Sequence, residues 1–403
     1  MRLMVYSHDA YGLGNLRRML AICEHLLNHW PHLSILLVSG SPMIHGFCLP
    51  AGLDYIKLPC LNRGVSGELS AKYLKITPEE TIAFRSQLIL SAAKHFKPDL
   101  LLVDKKPYGI QQELALTLKY IERRLPQSKC VLLLRDILDA PEKVCQEWQS
   151  QGYYQAIQSH YDQVLVVGMP EIFDLAQAYQ FPLPVARKVR YCGYIRKTSD
   201  RPQRSEIRRF LQLSPTDQLV LVTPGGGEDG FPLIDAYLQG LQTLDPAVQL
   251  RSLILCGPEM PASQQETLQK MVASNPAIEL QVFTDNLLGY LDAADVVVSM
   301  GGYNTLTEIL SLRKRTVVIP RTSPSHEQLI RTERFQQWGL VQSIHPQVLT
   351  PQLLIQRVLE QLCQPALAQT LNFEGLPQIA HHLSELVAPS PAPACFLTDL
   401  LTV

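Results

Sequence analysis

The sequence predicts an α/β protein built from two doubly wound domains that face each other across a cleft. Three observations lead there. At 403 residues, and about 150 residues per domain, the chain has room for two to three domains. Apolar residues make up 46% and charged residues 18%, the balance of a globular protein with a sizeable core rather than of a disordered chain. Short β-rich runs alternate with helix-length segments, the pattern of βαβ units and a parallel sheet.

The first series of strand-like runs falls at residues 3–7, 34–39, 54–58, 99–104, 130–135 and 163–167. After the first run, Gly12, Leu13 and Gly14 turn the chain into a helix on which Leu16, Met19, Leu20, Cys23, Leu26 and Leu27 share one face. Residues 191–204 are polar and basic and include Pro202, the composition of an exposed linker. A second series follows at 219–223, 252–256, 279–283, 296–300, 316–320 and 340–344. The expected domains are 1–195, 196–365, and a C-terminal helix and tail, 366–403, that packs back on the first domain. Two such domains place the carboxyl ends of both sheets on a shared cleft, where open α/β sheets bind ligands.

Composition narrows the function classes. A formal charge of -1 argues against a nucleic-acid binder driven by counterion release. Nine cysteines without a CxxC pair or a Cys/His cluster indicate neither a disulfide framework nor a structural metal. The chain opens on a strand-like run with no basic leader, and no later run approaches the roughly 18 apolar residues of a membrane span, so a cytoplasmic protein is expected.

The richest segment is SMGGYNTLTEIL, where the run 296–300 meets paired glycines and then a helix whose start offers amides and a positive dipole end to a phosphate. Thr305 and Glu308 also spell a capping box, so Glu308 has two readings, as a cap or as a ligand contact. The same holds at PSHEQLI, where Ser325 and Gln328 fit a second box. Gly225, Gly226 and Gly227 follow the run 219–223, as a turn or as a loop that lets backbone approach a ligand. In YSHDAYGLGNLRR, His8 and Asp9 sit just past the first strand, where acid/base groups face a cleft; a satisfied turn residue is the plain alternative.

These residues resemble the GT-B glycosyltransferases, which pair two Rossmann-like domains, and most closely the family 28 branch that includes the bacterial lipid-linked peptidoglycan N-acetylglucosaminyltransferase. The likeness runs through about residue 362 and is most specific over MGGYNTLTEIL, RTVVIP and SHEQLIRTERFQQWGL. It implies a nucleotide-sugar donor held by the C-terminal domain. Met300, Gly301, Gly302, Asn304 and Thr305 would lie at the diphosphate, Glu308 on the ribose, and Glu327 and Gln328 on the sugar. Gly225, Gly226 and Gly227 match the first glycine loop of that domain, and 282–287, with Phe283 and Thr284, the segment framing the base.

At the amino end Gly12, Gly14, Asn15 and Arg18 would face the acceptor or the diphosphate. Relatives carry a histidine where this chain has Asn15, which leaves Asp9 and His8 as proton acceptors, Asp9 being ionised at neutral pH. No DxD triplet occurs, so no metal and no other cofactor is expected, helix dipoles and amides standing in for the ion.

The expected activity is metal-independent, inverting transfer of a sugar to an acceptor hydroxyl. Loops at 61–70, 105–109 and 135–139 would frame an acceptor that the residues do not name. Relatives act on lipid-linked acceptors, which implies a peripheral membrane contact. Two rivals share the layout: a nucleotide-sugar epimerase or hydrolase, and a non-catalytic nucleotide-sugar binder that has lost its base, as Asn15 suggests.

Overall fold

The computed structural model describes residues 1–8, 14–63, 68–196, 204–245, 248–368 and 370–388. The first lobe contains β1 (Arg2–Ser7), β2 (Ser34–Ser39), β3 (Leu53–Lys57), β4 (Leu61–Arg63), β5 (Leu69–Ala71), β6 (Leu100–Asp104), β7 (Lys129–Arg135), β8 (Gln163–Val167) and β9 (Val189–Tyr191). The second contains β10 (Gln218–Thr223), β11 (Leu250–Leu255), β12 (Ile278–Gln281), β13 (Val296–Ser299), β14 (Arg315–Val318) and β15 (Gln342–Ser343).

All strands of the first sheet run parallel in the order β3-β2-β1-β6-β7-β8-β9, and those of the second in the order β12-β11-β10-β13-β14-β15. Strand order reverses at β1/β6 and again at β10/β13. At such switch points the crossover helices part to opposite faces and leave a crevice at the strands' carboxyl ends.

Every strand-like run of the sequence is a strand. Central strands are buried on both faces, as Leu3, Met4, Val5 and Tyr6 show, because helices cover both sides of a parallel sheet. The periodicity does not reveal β9 or the antiparallel hairpin β4-β5, whose three-residue strands are too short to carry a pattern.

Apolar packing continues from the first lobe into one face of the second sheet through Tyr194, Ile195, Tyr303 and Phe335. The helix Gly375–Val387 lies against the helix Gly14–His29 of the first lobe. The chain thus passes between the lobes twice, and the two passes are bonded to each other. Tyr194 N–H donates to Asn372 O at 2.7 Å, Gly375 N–H donates to Tyr194 O at 3.1 Å, and Ile195 bridges Glu374 in antiparallel fashion. No helix among the described residues is long and apolar enough to cross a membrane.

Candidate active site

Both switch points carry chemistry, and they meet. In the second lobe β13 ends at Ser299, Met300 is buried, and the helix Tyr303–Ser311 starts with Gly302 as its N-cap and no capping side chain. Its first internal bond is Leu306 N–H to Gly302 O at 3.0 Å, so the amides of Tyr303, Asn304 and Thr305 lie ahead of the helical ladder.

Both capping-box readings are therefore corrected. The helix begins two residues before Thr305, which places Thr305 inside its first turn and Glu308 half-buried in its second. At the neighbouring start, Glu327–Gln337, the N-cap is His326. There Ser325 Oγ accepts from Glu327 N–H, while Gln328 Oε1 accepts from Arg321 N–H.

The paired glycines differ in their surroundings. A Cβ on Gly301 would sit 2.7 Å from Thr332 Oγ1 and 2.9 Å from Gln328 Cβ, whereas one on Gly302 would meet nothing within 4 Å. Gly301 is thus a close approach between helix and strand end, and Gly302 borders open space.

The triple glycine divides likewise. Gly227 has φ +97°, and its Cβ would lie 2.2 Å from Cys256 O in the loop after β11; only a glycine fits that backbone against backbone. The space beside Gly226 is filled by Glu259, but that beside Gly225 reaches Thr305 Oγ1 at 3.5 Å across the site. Phe283 is half exposed beside Thr284, whose hydroxyl accepts from Asn286 N–H.

Asp9 and Gly12 lie outside the described residues. Gly14 begins its helix, and its carbonyl accepts from Asn304 Nδ2 at 3.0 Å, so a residue assigned to the donor already reaches the first lobe. Asn15 Nδ2 donates to His8 O, and Asn15 Oδ1 accepts from Arg18. Arg18 is buried on the inner face of the helix and paired with Asp104 at 2.7 Å. A guanidinium withdrawn from water needs a carboxylate, and β6 supplies it.

Glu327 and Gln328 are buried at the lobe junction, and Glu327 pairs with Arg135 of the first lobe at 2.6 Å. Burial by itself would raise the Glu327 carboxyl, but Arg135, Arg331, Lys105 and Arg321 outweigh it and hold it below its ordinary value.

The sequence reading missed the strongest junction contact. Arg331 and Asp136 are both fully buried and form a bidentate pair at 2.8 and 2.9 Å, and Arg331 Nη1 also donates to Gly301 O at 3.0 Å. Tyr303 lies over this pair, with Arg331 5.6 Å from its ring centre, and donates its hydroxyl proton to Val167 O. The spacing of Glu327, Gln328, Arg331, Thr332 and Phe335 on one helical face was the available signal that Arg331 points inward.

His8 is buried, and first burial, then the charges of Lys105, Lys106, Arg85 and Arg135, hold its imidazole well below the ordinary value. It is neutral at pH 7. An unfolded histidine titrates at about 6.5, so below that pH the unfolded chain takes up the proton first, and stability present above that value falls as the pH drops. Urea midpoints at pH 7 and pH 5 are expected to fall less in His8→Gln than in the parent; equal falls would remove His8 from the account.

Comparison with known proteins decides the second lobe. Residues 219–380 match the glycosyltransferase family 28 C-terminal domain.

The second lobe is similar to the family 28 glycosyltransferase C-terminal domain.

Of the chain, 48% aligns at 27% identity with an uncharacterised glycosyltransferase of Methanopyrus kandleri, over 52% of that protein. Another 26% identity over 92 residues links 22% of the chain to 26% of the Clostridium kluyveri UDP-N-acetylglucosamine--N-acetylmuramyl-(pentapeptide) pyrophosphoryl-undecaprenol N-acetylglucosamine transferase. The matched segments thus span about half or less of these relatives' lengths.

In fold, the chain is similar to MurG of Acinetobacter baumannii, with a TM-score of 0.56 and 14% identity over 95% of this chain and 94% of that one. It is also similar to the UDP-GlcNAc 2-epimerase of Methanocaldococcus jannaschii, with a TM-score of 0.61 and 11% identity over 96% and 100%. The architecture is GT-B, and the second lobe turns the uncapped start of the helix Tyr303–Ser311 toward the first lobe, where Tyr303 and Asn304 bond the carbonyls of Val167 and Gly14.

Proposed function

We propose that this chain moves a sugar from a nucleotide-sugar donor to an acceptor hydroxyl, without a metal and with inversion. The observation that carries the reading is the uncapped start of the helix Tyr303–Ser311 in a family 28 domain, opposite the switch point of the first lobe. The donor diphosphate takes the amides of Tyr303, Asn304 and Thr305 and the positive end of the helix dipole, with Gly225 and Gly302 leaving it room. Those dipoles stabilise the charge that builds on the leaving diphosphate, the part a cation otherwise plays. The base stacks at Phe283, Glu308 takes the ribose, and the sugar lies toward Glu327 and Gln328. Asp9 or His8 takes the proton of the acceptor hydroxyl.

An exposed stretch, Lys72, Tyr73, Leu74, Lys75 and Ile76, with Phe84 nearby, supports a peripheral membrane contact from the first lobe. Vesicle flotation with and without anionic lipid tests that contact, and no binding to either vesicle removes it.

Product analysis tests the activity. With UDP-sugars and an acceptor panel, a glycosylated acceptor is expected. The likeness to an epimerase favours one second reading, in which donor alone gives an epimer or free sugar; that product would displace transfer. Tight nucleotide binding without turnover would leave a binder. Glu308→Gln is expected to weaken UDP by about tenfold, the worth of one charged hydrogen bond of about 1.5 kcal/mol. Unchanged UDP affinity in a folded variant removes Glu308 from the ribose.

A further inference from the structure

At the carboxyl ends of β1 and β6, and on the helix that follows β1, buried polar atoms lack partners among the described residues. Ser7 Oγ, His8 Nδ1, Arg18 Nε and Asp104 Oδ2 are buried, and none has a hydrogen-bond partner among the described residues. Buried polar atoms are nearly always paired, so several orphans at one strand junction point to something that binds there.

Beside them stands Lys105. Each cation around it has its own carboxylate: Arg18 has Asp104, Lys106 has Glu147, Arg135 has Glu327 and Arg331 has Asp136. Lys105 has no ion pair among the described residues. Its backbone is left-handed at φ +73°, a conformation that costs a lysine roughly 1 kcal/mol or more and is kept where the surroundings impose it.

Those surroundings are rigid. Lys105 N–H donates to Leu133 O at 2.9 Å, and the loop beyond is held where Ile110 N–H donates to Tyr6 Oη, itself bonded to Glu113 in a buried pair with Arg85. An unpaired ammonium is thus presented from a fixed base, on the lobe opposite the donor domain.

We propose that Lys105, with His8 beside it, binds an anionic group of the acceptor, a phosphate or carboxylate carried near the hydroxyl that receives the sugar. The assignment rests on the transferase reading above for its name of acceptor, and on Lys105 and the orphaned atoms for the anion.

Burial, then Arg135 and Lys106 against the pull of Glu327 and Asp104, brings the Lys105 ammonium down to about 8, the strain of a cation that lacks a counter-ion. A bound anion relieves it. The same anion offsets the charges that suppress protonation of His8, so acceptor binding prepares the imidazole to take a proton.

The test titrates inorganic phosphate, and separately acetate, into the full chain with and without saturating UDP. Binding is read by calorimetry, and labelling of Lys105 by an amine-reactive ester at pH 8 is read by peptide mass spectrometry. In the presence of UDP, one of the two anions is expected to slow labelling of Lys105 by about tenfold and to leave surface lysines unaffected, the ratio that about 1.4 kcal/mol gives. The calorimetric signal should be lost in Lys105→Gln and kept in Lys105→Arg.

Protection that UDP abolishes would mean that the lysine senses the donor diphosphate, and overturns the proposal. Equal binding in the parent and Lys105→Gln overturns it too, as does the absence of any Lys105-dependent effect with either anion. If UDP does not bind while protection persists, the transferase reading fails and the anion site stands.

Discussion

Asp136→Ala is expected to destabilise the protein by about 3–5 kcal/mol, because it leaves the Arg331 guanidinium buried with no carboxylate. Arg331 lies wholly out of solvent, and its other bond, to the Gly301 carbonyl, does not neutralise charge. The double replacement Asp136→Leu with Arg331→Met should recover most of the loss, since apolar residues of similar volume replace buried ion pairs at little cost. Donor binding should not recover with it, because the Gly301 carbonyl has lost the group that holds it in place. Urea unfolding and UDP titration on the three proteins measure the two effects separately. A single variant within about 1 kcal/mol of the parent would mean that water reaches Arg331, contrary to the geometry.

Gly302→Ala is expected to weaken UDP by about 10- to 100-fold, the worth of one or two charge-assisted hydrogen bonds, with stability changed by less than about 0.5 kcal/mol. The added methyl meets no protein atom, so it enters only the space assigned to the diphosphate. Gly301→Ala should behave in the opposite sense. Its methyl is driven against Thr332 and Gln328 of the helix Glu327–Gln337, an overpacking of about 1–3 kcal/mol that shows first in the melting temperature. If Gly302→Ala binds UDP as the parent does, no diphosphate sits at this helix start, and the proposed donor site goes with it.

The sheets were legible because parallel strands covered on both faces leave apolar runs, unbroken in central strands such as 100–103 and 131–134, that alternate with helix-length segments. The glycine-led turns were legible for a similar local reason, since strand, glycine and helix are neighbours in sequence. Capping was not. Thr77 and Glu80 form a true box across Pro78, the first residue of their helix, whereas the same T-x-x-E spacing at Thr305 falls inside a helix that Gly302 had already begun. Which residue starts a helix depends on where the preceding strand ends, and letter spacing does not carry that.

The partner of Arg18 was hidden for a related reason. Arg18 follows a glycine turn and looks exposed, but Asp104, eighty-six positions away, draws it inward. The Arg331–Asp136 pair spans 195 positions, and no local pattern announces its partner.

Where the chain passes from one lobe to the other, Gly193 and Gly375 press backbone to backbone against the opposite pass, so the two threads behave as one ribbon. A paired ribbon bends readily across its flat face and resists torsion. Twisting one lobe against the other would therefore have to shear these paired threads, and a nick at residue 373, by freeing one of them, is expected to loosen the junction without touching the buried Arg331–Asp136 pair.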